Sequence, residues 1–132
     1  MAQIYFAHDQ QESPTPRRLA LELAGYKVKC FASGAALLEA LAHELPELVV
    51  LDVLLEGQHG FDVCRALRGK YKAASLPVIL STPIYRSPEY REVARQSGAQ
   101  EFLLRPCQPE ELVALVNQLL AVGQGSRRDR AA

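Results

Sequence analysis

The sequence predicts a doubly wound α/β fold: a five-stranded parallel sheet with helices on both faces. Two observations predict it. Apolar runs of strand length alternate with helical segments five times along the chain. Three of those runs, at 48–52, 77–82 and 102–104, lack the polar–apolar alternation of a half-exposed strand, so they and the first run read as parallel interior strands. With 132 residues, 48% of them hydrophobic, the chain has enough apolar material for one domain with a real core.

The elements follow in order. "QIYFA", residues 3–7, is the first strand. In "HDQQESPTPRRLALELAGY", Leu19, Ala20, Leu23 and Ala24 form one apolar helical stripe; Pro14 and Pro16 fit only near the first turn, and Gly25 suits the C-terminal cap. "YKVKCF" alternates as an edge strand does. Ser33 caps a helix carrying Leu37, Leu38 and Leu41, which must end before Pro46. The third strand is "LVVLD", 48–52, followed by a loop with Gly57 and Gly60 and a helix with Val63, Cys64 and Leu67.

"PVILST", 77–82, is the fourth strand. The next helix has Ser87 as N-cap, Pro88 at the first position, Glu89 in the first turn and Gly98 as its stop. "EFLL", 101–104, is the fifth strand, and Pro109 to Leu120 is a closing helix with Leu112, Val113, Leu115, Val116 and Leu119. The domain is expected over 1–122, with 123–132 a disordered tail or linker of polar, Gly-containing sequence.

Such sheets place ligands outside the carboxyl ends of the strands, where the winding direction switches. The residues there are His8 and Asp9, Asp52, Thr82 and Arg105. A carboxylate ending a buried strand loses solvation unless something cationic sits beside it, and Arg105 is the cation expected next to Asp52.

Lys+Arg and Asp+Glu both number 15, so there is no charge footprint for nucleic acid or an anionic membrane. No apolar run approaches the ~20 residues of a membrane span, and no signal-peptide pattern opens the chain, so a cytoplasmic location is expected. Cys30, Cys64 and Cys107, scattered without CxxC spacing, read as free thiols; His43 and His59 read as solvent-facing.

From about residue 3 to 121 the chain resembles the receiver domains of two-component response regulators, with their flavodoxin-like strand order 2-1-3-4-5. "LDVLLEGQHGFDVCRALR" is similar to the family's phosphoacceptor segment, "PVILSTP" to its hydroxyl-bearing strand and "GAQEFLLRPCQPEEL" to its Gly-Ala…Lys-Pro segment. The resemblance implies a phosphorylation switch rather than an enzyme. Asp52 matches the phosphoacceptor, fed by a phosphohistidine on a histidine kinase or phosphotransfer protein. Asp9, Asp52 and the Leu54 carbonyl match the Mg²⁺ ligands, Thr82 the hydroxyl that bonds the new phosphoryl group, and Phe102 the aromatic whose rotamer follows. The implied output is a changed surface formed by the fourth helix, fifth strand and fifth helix, which also serves homodimers. It acts on a C-terminal effector domain outside this chain; the tail's three arginines touching nucleic acid is the lesser alternative.

The departures matter. The family's Asp-Asp or Glu-Asp pair is His8-Asp9 here, its Lys is Arg105, Glu56 and His59 stand where the loop carries Pro and Asp, and Pro83 follows the Thr. Three readings of His8 stay open: a tolerated rim residue, a switch with weakened Mg²⁺ binding, or a transition-metal ligand with Asp9 and Asp52. Two readings of Arg105 stay open as well: a cation that simply substitutes for Lys, or a planar fork that grips Asp52 in a resting ion pair and makes the nucleophile harder to reach. Against the phosphoacceptor stand a pseudo-receiver, binding partners without phosphorylation, and an aspartyl hydrolase, which lacks a second acid because Leu54 occupies that position.

Overall fold

The chain, described as a computed structural model, runs β1 (Gln3–Ala7), α1 (Thr15–Leu23), β2 (Lys27–Phe31), α2 (Gly34–Leu41), β3 (Leu48–Asp52), α3 (Gly60–Arg68), β4 (Val78–Thr82), α4 (Pro88–Ser97), β5 (Glu101–Leu104) and α5 (Pro109–Ala131). Residues 2–10, 12–85 and 87–121 are described in full, and 122–131 by backbone alone. The tail expected at 123–132 therefore lies outside the fully described residues.

All strand pairs are parallel and the sheet order is β2-β1-β3-β4-β5. The winding reverses between β1 and β3, which puts the switch point where the ends of those two strands meet. β5 is an edge strand, although its apolar run reads as interior. Its apolarity comes from helices on both sides: Phe102 is buried among the residues under α2, α3 and α4, and Leu103 among those under α1 and α5.

Local chemistry explains the helix boundaries. Ser33 Oγ accepts from the Ala36 N–H at 3.1 Å. α1 ends in a pair of bonds, Tyr26 N–H to the Leu21 carbonyl and Gly25 N–H to the Glu22 carbonyl, that need the positive φ of +99° at Gly25. Gly98 closes α4 at φ +103°.

One expectation fails in α1. The helix buries Arg17 and Leu21, one turn apart, while Leu19 and Leu23 are 46% and 88% exposed. The apolar stripe is real in the sequence, but the sheet takes the adjoining face, because that face carries the cation Asp52 needs.

The rim itself is rigidly placed. Bonds beyond the strand ends, from Val53 N–H to the Ser81 carbonyl and Arg105 N–H to the Thr82 carbonyl, extend the ladder through the residues that follow. α3 begins hard against β3: a Cβ on Gly60 would lie 2.5 Å from the Asp52 carbonyl oxygen and 2.6 Å from Val53 Cα. Gly60 opens the helix rather than lying in the loop before it, and only glycine allows that approach.

Candidate phosphoacceptor site

Asp52 ends β3 with its side chain on the α1/α5 side of the sheet, the side of Val50, and it is wholly buried. The expected cation, Arg105, stands nearby at 3.7 Å, but a second and closer one makes the hydrogen bonds. Arg17 Nη1 donates to Oδ1 at 2.8 Å and Arg17 Nη2 to Oδ2 at 3.1 Å, a bidentate fork. The Asp9 backbone N–H adds a third bond, to Oδ2 at 2.8 Å.

Arg17 is itself 5% exposed, with its guanidinium carbon 4.5 Å above the Phe6 ring. It stands in the first turn of α1, where the helix dipole disfavours a cation; no acidic residue shares that turn. The carboxylate of Asp52 offsets that penalty. Sequence reasoning missed Arg17 because an arginine on an amphipathic helix ordinarily faces water. The available signal was its position four residues before Leu21, at helical spacing for a shared face.

Arg105 is the nearby cation of the first reading and not the fork of the second. Its Nη2 lies 3.7 Å from Oδ2, beyond hydrogen-bond length, while Nε donates to Ser81 Oγ at 2.9 Å and Nη1 pairs with Glu12. Ser81 is the register partner of Asp52, so its side chain shares the α1/α5 face and intercepts the guanidinium.

Thr82, one residue on, faces the opposite side. Its hydroxyl accepts from the N–H groups of Ile84 and Tyr85, and no hydrogen bond joins it to Asp52 among the described residues. Phe102 is on that side too, stacked on Phe61 at 6.3 Å. His59 belongs to the same cluster rather than to solvent. Its Nδ1 accepts from the Phe61 N–H at 3.3 Å, and its ring lies 5.6 Å from that of Tyr85, which in turn meets Tyr90 at 4.6 Å. The sheet thus divides the site into a charged half and an aromatic half. His43 is exposed, as expected, and all three cysteines are free.

The residues matched to Mg²⁺ ligands do not fit a divalent cation in this arrangement. Asp9 and Leu54 line a cleft of about 390 Å³ with Gln10, Leu55 and Glu56, but Asp52 does not line it, and both its oxygens accept from donors. His8 meets the Phe6 ring edge-to-face with centroids 5.8 Å apart, and its Nδ1 is near the Asp9 carbonyl at 3.3 Å. Among the described residues no group of three or more His, Cys, Asp or Glu side chains could hold a metal ion.

A parallel α/β sheet with a buried aspartate at its switch point defines a class of domain, and comparison with known proteins specifies the family. Residues 4–117 match the response regulator receiver domain, and the chain belongs to that family. It is a signal-transduction module of two-component systems. It is 32% identical over 121 residues to the transcriptional regulatory protein GltR of Pseudomonas aeruginosa, covering 92% of this chain and 50% of GltR. It is 33% identical over 132 residues to the transcriptional regulatory protein AfsQ1 of Streptomyces coelicolor, covering 99% of this chain and 56% of AfsQ1. The chain therefore spans about half the length of these relatives. A putative response regulator from Chloroflexus aurantiacus superimposes with a TM-score of 0.81 at 28% identity, over 91% of this chain and 98% of that one.

Proposed function

We propose that Asp52 is the phosphoacceptor and that the chain signals through its α4–β5–α5 face. One observation carries the reading: Asp52 is the carboxylate at the end of the central strand, beside the switch point, with two guanidiniums within 4 Å of it. Phosphoryl transfer asks mainly for positioning and charge neutralisation, and both are built in. An Asp52 oxygen forms the new P–O bond as the P–N bond of a kinase phosphohistidine breaks, its electron pair returning to the imidazole. Because Asp52 is fully covered, Arg17 must first shift from one oxygen.

Thr82 then turns from the Ile84 and Tyr85 amides toward the phosphoryl group. That loosens the β4–α4 loop over Phe102, and the change reaches α4, β5 and α5. The partners are a histidine kinase or phosphotransfer protein on one side, and on the other an effector domain beyond this chain or a second copy. The relatives' names as transcriptional regulators support the effector reading, with transcription as the output. The module is assigned to the cytoplasm, where such an effector would meet its target; no helix among the described residues is long and apolar enough to cross a membrane.

The test is incubation with acetyl phosphate, followed by intact mass and amide shifts. Wild type should gain one phosphoryl group and Asp52→Asn none. Thr82→Ala should be modified without the shift at Phe102. Modification that survives in Asp52→Asn would sink the assignment.

A further inference from the structure

We propose that the Arg17 guanidinium, not a divalent cation, is the resident positive charge of the Asp52 site, and that Mg²⁺ and Arg17 exclude one another there. The consequence for phosphoryl transfer rests on reading Asp52 as the phosphoacceptor; the exclusion does not.

Both Asp52 oxygens are engaged by donors. The cleft above is lined by Asp9, Glu56 and Leu54, but a cation that is to serve phosphoryl transfer at Asp52 must also ligate an Asp52 oxygen. Yet Oδ1 accepts from Arg17 Nη1, while Oδ2 accepts from Arg17 Nη2 and the Asp9 amide. A metal at either oxygen would face the guanidinium a few ångströms away even if Arg17 gave up that oxygen and kept the other, and both Asp52 and Arg17 are buried where water screens little of the repulsion.

Nor can Arg17 step aside freely. Its stem leaves the buried face of α1 next to Leu21, and its guanidinium lies on the Phe6 ring. Leaving Asp52 means leaving that ring as well.

The sequence departure at position 8 fits the same account. A second acid beside Asp9 would serve a dication, but a site whose positive charge is covalently supplied has no need of one. His8 accordingly packs on Phe6, the ring Arg17 covers. Arg17 thus does two things for Asp52: it neutralises the buried carboxylate at rest, and it remains beside the acceptor oxygen to meet the charge of an incoming phosphoryl group.

The experiment is a MgCl₂ titration of the full chain, labelled with ¹⁵N, reading the amides of Asp9, Val53 and Leu54. Wild type should show no saturable shift at millimolar Mg²⁺. His8→Asp should show none either, because Arg17 is still in place, and Arg17→Lys should keep the exclusion. Arg17→Gln should gain saturable binding, tighter than wild type by on the order of 10–100-fold, the range over which one supporting group tunes a metal site.

Saturable binding in wild type or in His8→Asp would overturn the proposal. So would a folded Arg17→Gln that gains none. Should Arg17→Gln fail to fold, the wild-type and His8→Asp titrations decide alone. Failure of acetyl phosphate to modify wild type would count against Asp52 as phosphoacceptor and leave the titration result standing.

Discussion

Arg105 donates its Nε to the hydroxyl of Ser81 at 2.9 Å, and this bond holds the second guanidinium of the site short of Asp52. Ser81 is wholly buried and Arg105 nearly so, whereas Glu12, which pairs with Arg105 Nη1, is half exposed.

The bond to Ser81 should therefore matter more than the ion pair. Ser81→Ala leaves a buried donor unsatisfied and should lower stability by about 1–3 kcal/mol. Glu12→Gln, at a partly solvated site, should cost less than about 1 kcal/mol. Urea unfolding of both variants checks the order; a larger loss from Glu12→Gln would mean the exposed pair is what positions Arg105.

The Arg17–Asp52 pair makes a sharper prediction. Removing one member of a buried pair strands a charge, at a cost of about 3–5 kcal/mol, whereas replacing both with apolar groups is often near neutral. Arg17→Met alone should be strongly destabilising, and Asp52→Leu combined with it should recover most of the loss. A double-mutant cycle measures the coupling. Strictly additive losses would show that the two side chains do not depend on each other.

Arg68 ties the far end of the sheet through carbonyl and amide oxygens. Its guanidinium donates to the carbonyls of Gly98, Tyr71 and Leu76 and to Gln100 Oε1, at 2.7–3.1 Å. Burial holds its pKa below the usual arginine value. Arg68→Ala should cost roughly 2–4 kcal/mol, with the fastest new amide exchange at Gly98 and Gln100, because several charge-assisted bonds go at once. Lysine at this position should recover only part of it, for want of the fork.

Cys64 stands on the buried face of α3, and burial pushes its thiol up to about 11. Native protein at pH 8 should react with a thiol reagent at Cys30 and Cys107 well before Cys64, since only the thiolate attacks. The raised value also sets a direction for stability. The folded state holds this proton more tightly than the unfolded chain, so the contribution is intact below pH ~9 and is lost as pH rises through about 11.

Full loss amounts to roughly 2–3 kcal/mol. Cys30 and Cys107 shift the same way, also through burial, and add to the slope. Cys64→Ala should flatten the decline in stability above pH 9; an unchanged slope would place the titration elsewhere.

Much of the architecture could be read from the chain because it is written in short-range chemistry. The unbroken apolar run ending at Asp52 marks β3, Ser33 marks the start of α2, and Pro88 with Gly98 brackets α4; each signal acts within a few residues. Their alternation then leaves few ways to stack helices on a parallel sheet. The rim followed too, since carboxyl ends of parallel strands share one edge. Hence Asp9, Asp52, Thr82 and Arg105 could be placed there from sequence.

Only the tertiary structure decided which side chain answers Asp52. Arg17 and Asp52 are 35 positions apart, and no local rule distinguishes an arginine turned inward from one in water. The choice depends on how α1 is rotated about its axis. A stripe of Leu19 and Leu23 argues for one rotation; the solvation of a buried carboxylate argues for the other. An unpaired charge in the interior costs more than two leucines left in contact with water, so the helix turns Arg17 to the sheet. The split between charged and aromatic halves has the same origin. Successive residues of a strand face opposite sides, so Ser81 and Thr82 are neighbours in sequence and belong to different halves of the site.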